Sequence, residues 1–149
     1  MILSGDLFFL AVAVAAGIAM AVQGSMNSAV SKAIGLYEAT FYVHFSAALT
    51  MILLFLLGFG KGNFENFKAV PLYYYLGGVI GVIITFGVVL SIPKLGAAVA
   101  TTSIIVGQVL SACAIDHFGL FGLEKSSFTW MKLLGLLLLS AGAKILLSR

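Results

Sequence analysis

The stretch LYYYLGGVIGVIITFGVVLS, residues 72–91, contains twenty residues and no charged side chain. A helix needs about 20 predominantly apolar residues to cross the ~30 Å hydrocarbon core of a bilayer. Backbone groups have no water to bond in lipid, so only helices and closed barrels can span it. A barrel strand alternates apolar and polar residues, whereas apolar runs such as Leu133–Leu139 do not. The pattern therefore predicts transmembrane helices.

Four further windows of similar length lie on either side of this stretch. The five predicted spans are approximately 7–31, 39–59, 72–91, 95–115 and 130–147. Residues that interrupt regular structure lie at the breaks, namely Gly35 after the first span, Gly58 after the second and Pro71 before the third. Pro93 and Lys94 separate the third and fourth spans so tightly that these two helices should be antiparallel neighbours. The sequence predicts an all-α fold, an integral membrane bundle with five transmembrane helices.

The composition indicates that lipid surrounds most of the chain. Hydrophobic residues make up 62% of it and charged residues 9%, whereas a soluble domain has about 25% charged residues. A soluble protein of 149 residues could not bury so much apolar surface, because its surface-to-volume ratio is too high. We therefore expect residues 1–149 to form a single transmembrane domain. Its partner is the lipid bilayer of a bacterial inner membrane or cell membrane, which the chain crosses several times.

Several classes of function are disfavoured by the residues present. The single cysteine, Cys113, excludes an intramolecular disulfide and a cysteine-based metal cage. The basic residues are dispersed, without the dense cluster that is typical of a nucleic-acid surface. The sequence contains no Ser/His/Asp spacing signal, no close carboxylate pair and no phosphate-binding glycine loop followed by Lys-Ser/Thr. We expect no enzyme activity, no cofactor, no metal site and no nucleic-acid partner.

Lysine and arginine are divided equally between the two predicted membrane faces. One face holds the N-terminus and the 2–3 and 4–5 loops; the other holds the 1–2 and 3–4 loops and the C-terminus. The first face carries Lys61, Lys68, Lys125 and Lys132, and the second carries Lys32, Lys94, Lys144 and Arg149.

An excess of Lys and Arg in cytoplasmic loops normally sets the orientation of a membrane protein. A chain without such an excess is expected to insert both ways and to form an antiparallel dimer, the inverted-repeat architecture of many secondary transporters. The alternative is a fixed topology set by one near-membrane charge, such as Lys32 or Lys144.

Four motifs connect the chain to a known family. They are Gln23-Gly24-x-x-Asn27 in the first span, Pro93-Lys94-Leu95-Gly96-Ala97 at the start of the fourth, Gly107-Gln108 within it, and Ile115-Asp116-His117-Phe118-Gly119-Leu120-Phe121-Gly122 after it. In these motifs the chain resembles the five-span DUF606 (YdcZ-like) family of the drug/metabolite transporter superfamily, over essentially its whole length. The resemblance implies a transporter-like protein that works as an antiparallel homodimer or with a paired homologue.

The first span carries two amide side chains at predicted membrane depth. Gln23 and Asn27 are four residues apart, so they share one helix face and continue a ridge of small residues formed by Ala11, Ala15 and Ala19. Such a face suits a helix that lines a cavity, and we predict that both amides bind substrate. The alternative is an interhelical hydrogen bond, worth about 0.6–2 kcal/mol.

The fourth span carries a second set of uncharged polar residues. Thr101 and Gln108 are seven residues apart and face the same way, and Ser111 lies one position off that face. Together with Gln23 and Asn27 they are predicted to form a neutral, hydrogen-bonding pocket for a small-molecule substrate. Alternatively, the hydroxyl groups bond the backbone of their own helix.

Two titratable residues are candidates for proton coupling. His44, one to two turns into the second span, can exchange a proton near neutral pH, or it can donate to a neighbouring helix and stay neutral. Asp116 lies at the end of the fourth span, where the helix dipole disfavours a carboxylate. It either caps a short helix or turn beginning at His117 or acts as a gate or proton-carrying group.

No Asp or Glu lies in the middle of any predicted span. The small multidrug resistance proteins of the same superfamily have a membrane-embedded Glu that binds protons and cations. A neutral or zwitterionic substrate, or an anion held by helix ends, is therefore expected here. Overall function is predicted as secondary transport of a small polar metabolite by alternating access, with the site at the dimer midplane. An ion channel and an accessory membrane protein without flux are the alternatives.

Overall fold

The computed structural model describes residues 4–147, with side chains from Asp6 to Leu146. Helices make up 87% of the structure, and no strand occurs within the described residues. The five α-helices found there are α1 (Ser4–Ile34), α2 (Leu36–Leu56), α3 (Gly77–Leu95), α4 (Ala97–Phe118) and α5 (Trp130–Leu147). Three short 3-10 helices lie in the connections, at Phe64–Ala69, Leu72–Leu76 and Leu120–Gly122. The prediction of an all-α fold is confirmed.

Most of these helices have the length and hydropathy of membrane spans. Within residues 4–147, four stretches are long and apolar enough to cross a bilayer, namely Asp6–Ile34, Leu36–Leu56, Leu72–Leu95 and Ala97–Phe118. The 22 residues of α4 extend about 33 Å at 1.5 Å per residue, close to the ~30 Å thickness of a bilayer core. The fifth helix, α5, forms over the 18 residues predicted for it. This architecture fits a multi-pass membrane protein, as the composition indicated.

The predicted break between the third and fourth spans is wrong. We expected Pro93 and Lys94 to separate them, but α3 continues through both residues to Leu95. The chain breaks at Gly96 instead, where φ is 84°. Proline has a fixed φ near −65°, which is compatible with helix even though its missing N–H removes one helix hydrogen bond, whereas a positive φ is readily adopted only by glycine. The backbone angle, rather than the proline, therefore determines where α3 ends.

The connection between α1 and α2 consists of one residue, Gly35. Its N–H donates to the Ser31 carbonyl at 3.0 Å, and its own carbonyl accepts the Ala39 N–H at 3.1 Å. Gly35 has φ 104° and ψ 158°, a conformation available almost only to glycine. The Glu38 carboxylate lies over its Cα, where a Cβ would clash with Oε2. One glycine thus completes the hydrogen bonding of two helix ends, and α2 begins three residues earlier than predicted.

The chain forms two compact units, one ending at Pro93 and the other beginning at Lys94. In the first unit α1 packs against α2, and α3 approaches α1 at Gly24. A Cβ at Gly24 would lie 2.8 Å from Val88 Cγ1, so α3 packs against glycine backbone at this point. Gly24 and Ser28 are both buried and lie four residues apart. Small residues at this spacing are of the kind that lets helices approach closely in lipid.

In the second unit α4 packs against α5, and the connection between them folds back onto the end of α4. The Asp116 carbonyl accepts the N–H groups of Gly119 at 3.3 Å and Ser126 at 2.8 Å. His117 Nδ1 accepts the Phe128 N–H at 3.1 Å. Lys132 Nζ donates to Ser126 Oγ at 2.9 Å. These bonds hold the connection as an ordered cap over the helix end.

Replacing Gly35 by alanine should destabilise the first unit by about 1–3 kcal/mol, because alanine must adopt a conformation that is strained for any residue with a Cβ. Unfolding by sodium dodecyl sulfate in detergent micelles measures the change. The matched control is Gly17→Ala, a position in α1 where a Cβ meets nothing within 4 Å. The control should be as stable as the wild type or slightly more so, because alanine favours helix. Equal stability of Gly35→Ala and wild type would contradict this account of the α1–α2 break.

Candidate functional site

A groove of about 570 Å³ runs between α1 and α2 in the first unit. We call it the α1–α2 groove. Its α1 wall consists of Ala15, Ile18, Ala19, Val22, Gln23, Met26 and Asn27, and its α2 wall of Val43, Ser46, Ala47 and Thr50. Ala15, Ala19, Gln23 and Asn27 recur every four residues, so the face predicted to line a cavity does line this groove. Its volume falls within the range of about 300–1,000 Å³ that is usual for small-molecule sites.

The two amides on the α1 wall are the polar groups that a ligand in the groove would meet. Gln23 is exposed, and Asn27 is half-buried. Within the described part of the chain, neither amide side chain has a hydrogen-bond partner. Each amide offers two donor hydrogens and an acceptor oxygen. The structure therefore shows an α1 wall that can both donate to and accept from a ligand.

The α2 wall offers acceptors only. Ser46 Oγ donates its hydrogen to the Val43 carbonyl at 3.0 Å, and Thr50 Oγ1 donates to the Ser46 carbonyl at 2.8 Å. A hydroxyl has one hydrogen and two lone pairs, so oxygens whose hydrogen is already used can only accept from a ligand. Sequence analysis missed this wall. Ser46 and Thr50 are four residues apart in the second span, and that spacing was the available signal.

The groove is uncharged. Among the residues that the structure describes, none that lines it is Asp, Glu, Lys, Arg or His. A low-polarity site cannot hold an unpaired ion without a large desolvation cost.

His44 lies on α2 but is turned toward α3 rather than into the groove. Its Nε2 is 3.2 Å from Thr85 Oγ1, and Thr85 Oγ1 lies 3.0 Å from the Gly81 carbonyl, to which it donates. Because the threonine has only one hydrogen, the histidine Nε2–H is the donor in the His44–Thr85 bond. The geometry matches the structural alternative, a histidine that donates to a neighbouring helix.

Asp116 does not cap a helix that begins at His117, so that interpretation is wrong. Helix α4 continues through both residues to Phe118 and ends at Gly119, which has a left-handed conformation with φ 62°. The Asp116 side chain is half-buried in the last turn of α4. Its main-chain carbonyl, rather than its carboxylate, organises the following connection through Gly119 and Ser126.

The other polar candidates of the fourth span lie on α4, in the second unit. Thr101 is half-buried, whereas Gln108 and Ser111 are exposed. A cavity of about 290 Å³ at the other end of α4 is lined mainly by apolar and aromatic residues, with Cys113 and His117 as its polar members. Thr101, Gln108 and Ser111 do not line this cavity. Their role in substrate binding stays a prediction.

The His44–Thr85 bond should stabilise the packing of α2 on α3. A double-mutant cycle of His44→Leu and Thr85→Val, followed by unfolding in detergent, should give a coupling energy of about 0.6–1.7 kcal/mol, the range for interhelical hydrogen bonds in membranes. The matched control pairs His44→Leu with Thr50→Val, since Thr50 bonds its own helix and should show no coupling. Additive effects of the His44 and Thr85 changes would show that the bond contributes nothing to stability.

Comparison with known proteins identifies the family. The family described as "Putative inner membrane exporter, YdcZ" matches residues 8–145. No curated protein and no solved structure matches the chain. The description is that of a transporter rather than an enzyme, and the match includes both walls of the α1–α2 groove. Because the match covers almost all of the sequence, the chain belongs to the YdcZ family of inner membrane exporters.

Proposed function

We propose that the chain exports a small polar molecule by alternating access, working as an antiparallel homodimer, and that the α1–α2 groove of each copy binds the substrate. The observation that supports this proposal most directly is the pair of unbonded amides, Gln23 and Asn27, in a groove of about 570 Å³. Unbonded polar groups at membrane depth are costly, and such groups often mark a substrate path. The family's description as an exporter supports transport out of the cell as the direction.

The chemistry of the groove limits the substrate. The hydroxyl oxygens of Ser46 and Thr50 accept hydrogen bonds but have no hydrogen to give. The substrate must therefore bring N–H or O–H donors to the α2 wall, while the amides of the α1 wall can bond either donors or acceptors. No charged residue of the described chain lines the groove, which favours an uncharged group on the substrate. An uncharged small molecule with hydrogen-bond donors and an apolar part fits these conditions.

The antiparallel arrangement rests on the charge distribution. Four lysines lie on the face that holds the N-terminus, and three lysines with Arg149 lie on the other. Arg149 lies outside the described residues. Equal numbers give the insertion machinery no preferred orientation, and two opposite copies would supply the two symmetric half-sites that alternating access requires.

Proton coupling through His44 or Asp116 stays part of the proposal. Of the two, Asp116 is the stronger candidate, because His44 already donates to Thr85. The half-buried Asp116 carboxylate lies in the last turn of α4. A proton taken up there could be exchanged during the transport cycle.

Loss of both amides should abolish most of the export. Cells that express the chain are compared with cells carrying an empty vector by mass spectrometry of the medium, and compounds that accumulate only with the chain are the transported set. In the double variant Gln23→Ala, Asn27→Ala their efflux should fall about tenfold, since two lost hydrogen bonds worth about 1.4 kcal/mol together correspond to a factor of ten.

The matched control for this experiment is Ser25→Ala. Ser25 lies on α1 between the two amides, but its hydroxyl bonds the Ala21 carbonyl at 2.9 Å and it does not line the groove. The control should export at the wild-type rate, and all variants must reach the membrane in equal amounts. Wild-type efflux by the double variant would remove the groove from the proposed mechanism. Single-channel currents from the purified chain in planar bilayers would replace the carrier by a channel, and no flux at all would favour an accessory protein.

Dual insertion predicts a C-terminus that is accessible from both sides of the membrane. In a Cys113→Ala background, Ser148→Cys should react in intact cells with an impermeant maleimide for about half of the molecules, and with the rest only after lysis. Adding Lys94→Gln leaves four basic residues on one face and three on the other, and should move most C-termini to the outside. Labelling from one side only in the Ser148→Cys protein would exclude the antiparallel homodimer while leaving the groove proposal intact.

A further inference from the structure

The connection between α2 and α3 exposes several large apolar side chains. We call residues 57–71 the connector. Its large apolar side chains are exposed, with Phe59 72% and Phe64 74% accessible. Leu57, at 63%, and Phe67, at 53%, extend the same exposed set. A polar, solvated loop would not present four large apolar side chains in fifteen residues.

The position of the connector places it at a membrane surface. It begins directly after α2, whose residues Leu36–Leu56 form one candidate span, and ends where the next candidate span, Leu72–Leu95, begins. The chain leaves the bilayer at the end of the first of these spans and enters it again, from the same face, at the start of the next. The connector therefore runs along the headgroup layer of a single leaflet.

The connector is folded onto the ends of these two spans. The Phe64 ring packs edge-on against Phe55 of α2, with ring centres 6.0 Å apart. The Phe67 ring stacks on Tyr75 at 4.3 Å, and the Tyr75 hydroxyl donates to the Phe67 carbonyl at 2.9 Å. Gly60 also lies close against the Phe55 ring, where a Cβ would be 2.5 Å from Cδ1. Contacts at both ends keep the connector near the level at which the spans leave the hydrocarbon.

Internal hydrogen bonds lower the cost of placing this segment in the interface. Asn63 Oδ1 accepts the Glu65 N–H at 2.8 Å, and the Asn63 carbonyl accepts the Asn66 N–H at 3.4 Å. The Pro71 carbonyl accepts the Tyr74 N–H at 3.0 Å. A backbone whose N–H groups are bonded internally can lie in a less polar environment at smaller desolvation cost than an open loop.

The charge of the connector suits a lipid headgroup layer. Lys61 and Lys68 outnumber Glu65 by one, and basic residues beside a membrane are attracted to anionic lipids. Lys68 lines a cleft together with Phe67, Pro71, Leu72 and Tyr75. A phosphate can approach the ammonium group there while the adjoining apolar side chains contact acyl chains, the arrangement used by amphipathic segments that lie on membranes.

We propose that the connector is an in-plane membrane anchor whose Phe59 and Phe64 side chains insert below the headgroups of the surrounding bilayer, with Lys61 and Lys68 beside the lipid phosphates. The anchor fixes the depth of α2 and α3 and is independent of what the groove transports.

Fluorescence of single-tryptophan variants tests the anchor in the full chain. The native tryptophan is removed as Trp130→Phe, and Phe64→Trp is reconstituted in vesicles of phosphatidylcholine and phosphatidylglycerol. Its emission should be blue-shifted, and lipids brominated near the headgroup end of the acyl chain should quench most of it, while aqueous iodide quenches little. The matched control, Gly62→Trp, lies in the same connector without a neighbouring side chain within 4 Å and should show weaker quenching by lipid and stronger quenching by iodide.

Three results would overturn the anchor. They are iodide quenching of Phe64→Trp as complete as that of a free tryptophan, no difference between positions 64 and 62, and protection of position 64 from both quenchers, which would assign this surface to a second protein chain. Circular dichroism and gel filtration check that each variant folds. If Phe64→Trp is misfolded, Phe59→Trp supplies the same comparison, because Phe59 is equally exposed in the same connector.

Discussion

Lipid cannot hydrogen-bond a peptide group, and this constraint shapes every part of the chain. It explains why 87% of the structure is helical and why two of the breaks between helices consist of one residue each. At Gly35 and Gly96 a single residue with positive φ separates two helices, so almost no backbone is left unpaired. Lipid is also apolar, so few residues of the described chain need to be buried within it. Val89 and Ala100 are among the small number with almost no exposure, while the outer faces of the helices present Leu, Ile, Val and Phe to lipid.

The same constraint separates the polar side chains into two groups. Many hydroxyl groups donate to a carbonyl one turn earlier in their own helix, as Thr40, Ser91 and Thr102 do, and this uses their hydrogen without a second helix. An amide cannot be satisfied so simply, because it has more hydrogen-bonding groups. Gln23 and Asn27 therefore keep both donor and acceptor groups available to a ligand, whereas Ser46 and Thr50 can only accept. Both amides line an uncharged groove, and the chain belongs to a family described as exporters.

The two long connections are both held against the ends of the helices that they join. The connection after α4 folds back through main-chain and side-chain hydrogen bonds to Asp116, His117 and Lys132. The connector after α2 combines internal hydrogen bonds with aromatic contacts to Phe55 and Tyr75.

The sequence by itself determined the fold class, the number of helices and the face of α1 that lines the groove, because each depends on hydropathy or on the 3.6-residue period of one helix. It misplaced the break at Pro93, since the left-handed angle at Gly96 cannot be seen in composition. Only the tertiary structure showed that Ser46 and Thr50 form the opposite wall, that His44 donates to Thr85 and that Asp116 lies inside α4. These facts depend on which faces of different helices meet, and the period of one helix contains no information about its neighbour.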